Sequence, residues 1–215
     1  MLRSGRLAAL DQDAVLLVAD GLVRHGVAAW LDGDGAENAG AWRQRAGAFA
    51  ESWLVFGDAP VPGLRVPALP VLRSLVRQAA EALWRVHGED GPAALEWLGL
   101  RSAEVRERAC RDGEAHPAEP VALAVVWHAV QALAPEADAD HDQRIEDRCE
   151  AYVSEHYPRR DTVALALACA RLAADALVEL ACGDPHRAAA ELDARAARHM
   201  PLTAPAPSWV PDRPR

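Results

Sequence analysis

A chain of 215 residues is long enough to bury most of the apolar surface its unfolded form exposes, so it can fold without disulfides or a structural metal. All 23 basic residues are Arg, and the absence of Lys excludes the phosphate-gripping lysine of a P-loop, Schiff-base chemistry and the kinase strand lysine. The net charge of −9 gives no general attraction to nucleic acid or anionic membranes, and a composition 51% hydrophobic but only 5% aromatic, with about a fifth Ala, points to closely packed helices.

The chain opens MLRSGRLAALDQDAVLLV, where Asp11, Asp13 and Asp20 interrupt what would be the apolar core of a signal peptide; a cytoplasmic location without membrane association is the expectation. From Asp11 to Leu31, Val15, Leu16, Val18, Leu22, Val23, Val27 and Trp30 keep helical spacing, with Asp11 a candidate cap. The loop DGDGAENAG ends that helix; its glycines follow no strand and are flanked by acids, so it reads as a turn and not a phosphate cradle. A second helix over 37–56 places Trp42, Ala46, Phe49, Ala50 and Trp53 on one face. Trp42, Phe49 and Trp53, with Trp30 nearby in sequence, are candidates to line a pocket for a small apolar or planar ligand, with Arg43 or Arg45 available for an acid group; the alternative is an ordinary core stripe.

The stretch GDAPVPGLRVPALP holds four prolines and two glycines and is the candidate sub-boundary, near 57–69, within a helical domain covering 1–200. A third helix runs from Pro70 to about His87, stopped by Gly88. Short helices over 92–98 and 102–111, split at Gly99, resemble in spacing a helix-turn-helix unit whose second helix would carry Arg106 and Arg108 toward DNA. Against that stand Leu95, where such units favour a small residue, and Glu104 and Glu107, which phosphates would repel. Nucleic acid is therefore not the expected partner.

An apolar helix over 119–133, around Trp127, carries His128. The segment that follows, ADADHDQRIEDRCEAYVSEHY, raises the question of a metal or catalytic cluster. On a helix over 140–157, His141, Ile145, Cys149, Tyr152 and His156 share one face. Metal ligands on one helix need i, i+3 or i+4 spacing, whereas His141 and Cys149 are eight apart and Cys149 and His156 seven. A calcium loop fails too, since Gln143 stands where a glycine is needed and Cys149 where a glutamate is. The acids suit the positive end of a helix dipole, and the expectation is a charged solvent face, with no metal and no cofactor. The competing reading is a small-molecule or metal site within 116–156, His128, His141, Cys149, Tyr152 and His156 being completed by His116 or another helix.

The helix over 161–182 is apolar on nearly all sides and therefore central; Ala166, Ala170 and Ala174 recur every fourth residue and allow close approach of a neighbour. Cys169 and Cys182 are expected to be inert within it, and the wide spacing of the four cysteines signals neither zinc nor disulfides. A polar helix over 185–199 precedes PLTAPAPSWVPDRPR, an extended proline-rich tail over 201–215 whose Trp209 could anchor a partner.

The expected architecture is all-α, an irregular bundle of seven to nine helices. With no nucleophile elbow, no Glu-x-x-His and no His-Glu-x-x-His, the leading functional expectation is a non-enzymatic protein that binds a protein partner or itself. The alternatives are a small-molecule or metal-binding protein using the 116–156 histidines, and a transcriptional regulator acting through 92–111.

Overall fold

The periodicities in the sequence become eight α-helices in the computed structural model, which describes residues 2–32, 36–55, 65–112, 118–135, 137, 140–155 and 160–199. They are α1 (Leu2–Leu31), α2 (Ala36–Trp53), α3 (Ala68–Val86), α4 (Gly91–Asp112), α5 (Ala118–Ala132), α6 (Asp140–Glu155), α7 (Arg160–Leu180) and α8 (Pro185–His199). Two-residue strands, β1 (Leu54–Val55) and β2 (Val66–Pro67), pair in parallel between α2 and α3, with Leu54 opposite Val66. No alternation announces them, because two residues are too few to carry a period. The tail over 201–215 with Trp209, most of the 57–69 stretch, His116 and His156 lie outside the described residues.

Two expectations about the course of the helices are corrected. First, α1 begins at Leu2, so Asp11 lies within the helix and does not cap it. Second, the break at Gly99 does not occur, and α4 runs unbroken through it. A lone helical glycine costs only about 1 kcal/mol relative to Ala, while Ala94, Leu98 and Val105 bury one continuous stripe across the position. The two-helix unit anticipated at 92–111 is therefore not formed. Arg106 donates back to the Ser102 carbonyl of its own helix, and Arg108 reaches Glu119 on α5.

The core is organised around α7, against which α1, α2, α3, α5 and α8 all pack. Ala166, Ala170 and Ala174 are fully buried. Opposite them α1 presents Gly26, where an added Cβ would stand 2.6 Å from the Ala174 Cβ and 3.4 Å from the Ala170 carbonyl oxygen. Small residues on both helices thus set the spacing of α1 and α7. The Gln12–Leu31 part of α1 is the one described segment long and apolar enough to cross a bilayer by length and composition. Here it buries Val18, Leu22, Val23 and Val27, and its Asp20 carboxylate accepts a 2.8 Å hydrogen bond from Gln78 of α3, with Arg195 of α8 at 4.0 Å.

Helix ends follow local chemistry. After α7, Cys182 and Gly183 take positive φ values of 62° and 81°, and the Gly183 amide donates to the Val178 carbonyl at 2.8 Å. Cys182 is consequently exposed in a turn and not buried in the helix as expected, while Cys149 and Cys169 are buried and Cys110 is exposed. Asp184 caps α8 by accepting from the His186 amide at 2.9 Å, with Pro185 at the first helical position.

Two glycine substitutions check this packing by chemical denaturation. Gly26→Ala is expected to destabilise by about 1–3 kcal/mol despite the better helix propensity of Ala, because α1 must move off α7. Gly99→Ala, in an open and continuous helix, is expected to stabilise by up to about 1 kcal/mol.

Candidate functional site

The buried residue hardest to reconcile with an apolar core is Asp175, in the C-terminal half of α7 and only 8% exposed. A carboxylate removed from water needs donors to offset its lost hydration. Three arrive from three helices. The Trp30 indole of α1 donates to Oδ1 at 2.9 Å, Arg171 of α7 donates through Nε to the same oxygen at 2.7 Å, and Arg101 of α4 reaches Oδ2 at 3.3 Å. Burial nevertheless pushes the Asp175 carboxyl above the usual carboxylate range, with Arg171, Trp30 and Arg101 pulling the other way. Around this node the guanidiniums lie over aromatic faces: Arg171 is 5.6 Å from the Trp30 ring centre and 5.9 Å from that of Trp42, and Arg101 is 5.4 Å from Trp97.

A pocket of about 360 Å³ opens beside the node, bounded by α2, α4, α5 and α7. Leu123, Leu167, Ala168 and Leu172 contribute to an apolar floor, and Trp42, itself buried, forms part of the wall. Arg43 and Arg108 stand at the rim on either side of Glu119, whose carboxylate accepts from Arg108 at 2.9 Å and Arg43 at 3.5 Å. The lining holds four arginines (Arg43, Arg101, Arg108, Arg171) against three acids (Glu104, Glu119, Asp175). It is therefore locally cationic on a chain whose net charge is −9.

The sequence candidates divide. Trp42 and Arg43 line this pocket, and Trp53 does not. Trp42, Ala46 and Ala50 form the buried face of α2 at four-residue spacing, leaving Phe49 and Trp53 to pack on each other at 6.3 Å, Phe49 against Gly21 and His25 of α1. Arg45 pairs with Asp32 and takes no part. Arg108, singled out as a DNA contact, is a pocket residue, whereas Arg106 does not line it.

The histidine region converges only in part. His128 of α5 and His141 of α6 stand with ring centres 5.9 Å apart. Cys149 and Tyr152 are buried on the same helix as His141, but Cys149 faces a different environment. Burial pushes its thiol up to about 11, with Arg73, Glu146 and Glu150 as the charges acting on it, so it stays protonated at neutral pH and is no nucleophile. Among the described residues no three His, Cys, Asp or Glu side chains gather as metal ligands.

Arg101, Arg171, Asp175 and Glu119 were not identified from the sequence as site residues. A signal for two of them was present, since Arg171 and Asp175 are an i, i+4 charged pair inside a long, largely apolar helix, and a charge there requires a partner. No protein-family model matches the chain, and comparison with curated proteins and with solved structures gives no significant match.

Asp175→Ala is expected to destabilise by about 2–4 kcal/mol, because Trp30 and Arg171 lose their shared acceptor. Asp175→Asn, which retains one acceptor and removes the buried charge, is expected to cost less, as read from urea midpoints at pH 7.

Proposed function

We propose that this chain is a non-enzymatic binding protein whose α2–α4–α5–α7 pocket takes a small amphipathic anion, an aliphatic or aryl carboxylate. The observation that supports this reading is the pairing of an apolar floor with a cationic rim in one concavity of about 360 Å³, at the small end of the range for ligand pockets. A hydrocarbon or aryl body would cover Leu123, Leu167 and Leu172 and lie against Trp42. Its carboxylate would meet Arg43 and Arg108, two guanidiniums that now share the single carboxylate of Glu119. Binding suits this site better than acid–base chemistry, because Asp175 is committed to three donors and Glu119 to two.

A second reading, contact with a protein partner, is favoured by the aromatic and aliphatic side chains left in water: Trp30 at 37%, Trp53 at 38%, Leu31 at 42% and Leu100 at 62% exposure. Trp and Arg are the side chains that interfaces concentrate, and Trp30 adjoins Arg171.

Titration with medium-chain fatty acids and aryl carboxylates, followed by calorimetry and tryptophan fluorescence, tests the first reading. Arg43→Gln with Arg108→Gln is expected to weaken binding tenfold or more, Ala168→Leu to block it by filling the floor, and Glu119→Gln to tighten it by releasing both guanidiniums. No saturable binding at millimolar carboxylate, or binding indifferent to Ala168→Leu and the arginine pair, would refute it.

A further inference from the structure

The pocket leaves the histidine pair of α5 and α6 without a role. His128 sits one turn before the end of α5 and His141 in the first turn of α6, and their rings are 5.9 Å apart with planes at 33°. In both rings Nδ1 is buried and has no hydrogen-bond partner. A neutral imidazole tolerates this, since one nitrogen carries no hydrogen and an unmet lone pair costs little beside an unmet charge. An imidazolium does not, because both nitrogens then carry protons and a buried N–H⁺ would face no acceptor.

The surrounding charges oppose a proton as well. Those acting on His128 are Arg148, His141 and Arg144, all on α6, and only the Gln131 side chain of its own helix favours protonation. The acids nearby on α6 are engaged elsewhere: Asp140 with Arg144, Glu146 with Arg73 of α3, and Asp147 with Gln143. On the far flank of α5, Arg73 and Arg77 of α3 and Asp142 and Glu146 of α6 line a separate cleft with Ala129 and Leu133. From α4, Arg108 goes to Glu119 at the opposite end of α5, and from α7, Arg171 goes to Asp175.

We propose that the α5–α6 interface is an acid-sensitive joint: His128 and His141 pack the two helices together while His128 is neutral, and protonation of His128 drives α6 away from α5. Burial, then Arg148, His141 and Arg144, hold the His128 value below the ordinary 6.5. The unfolded or opened chain therefore binds the proton more readily than the closed one, and stability is retained above about pH 6.5 and lost as the pH falls below it. The joint is local because α6 packs chiefly on α5 and α3, whereas α8 packs on α1 and α7.

Hydrogen exchange on the full chain at pH 7.5 and 5.5, corrected for intrinsic rates, reads this directly. Protection of α6 amides is expected to fall several-fold on acidification, toward the ceiling of about tenfold that one histidine sets over this interval, with α8 unchanged, and the fall is expected to disappear in His128→Gln. Arg148→Gln, which removes a repelling charge and no ring, is expected to move the transition to lower pH in fold-loss and raise the His128 titration midpoint in carbon-detected NMR. His25 of α1, also held low by burial, Arg45 and Arg24, is the control, and His25→Asn is expected to leave the α6 response intact. An α6 that loosens no more than α8, or that responds equally in the His128→Gln variant, overturns the proposal.

Discussion

A carboxylate held out of water must be answered by donors, and in this protein that requirement falls in the C-terminal half of the central helix, α7. Asp175 is surrounded by α7 neighbours that offer it nothing but Arg171, so the missing donors come from elsewhere: the Trp30 indole from α1 and a guanidinium from α4. Three helices are thereby tied at one point. The cost of burying the acid is visible in its raised proton affinity, and the same node orients the arginines and tryptophans that make the adjoining concavity cationic and aromatic.

Close packing makes that node possible. Gly26 meets Ala170 and Ala174 with no room for a methyl group, which draws α1 onto α7 and brings Trp30, one turn further along α1, to the Asp175 oxygen. Where α7 instead faces α2, α4 and α5, Leu167, Ala168 and Leu172 are left partly uncovered. A single helix thus closes against one neighbour through small residues and leaves a hollow toward the others.

Much of this arrangement is legible in the sequence, and the rest follows from physical effects that one-dimensional patterns do not carry. Helical spacing marks every helix from α2 to α8 except for the false division at Gly99, where tertiary burial of Ala94, Leu98 and Val105 outweighs the weak propensity of one glycine. The central place of α7 and the purpose of its alanine row can be read from apolarity alone. Trp42 and Arg43 can be named only as candidates beside Trp53 and Arg45, since the difference between the 42–46–50 and 49–53 faces depends on where α1 lies. His128 and His141 are visible as a possible pair because a short connection forces α5 and α6 together. Glu119, Arg101 and Arg171 are invisible as a set, because they come from three helices and share nothing in spacing; only the presence of Asp175 in an apolar run hints that partners must exist.

The unbroken course of α4 has a mechanical meaning. Arg101 and Arg108 are two turns apart on one rod, roughly 10 Å along its axis, one fastened to the Asp175 carboxylate of α7 and the other to the Glu119 carboxylate of α5. The unbroken helix between those two anchorages acts as a splint, fixing the separation of α5 and α7 along that wall. The opening beside it has a set gauge, so a guest would be sorted by its dimensions before its charge is read.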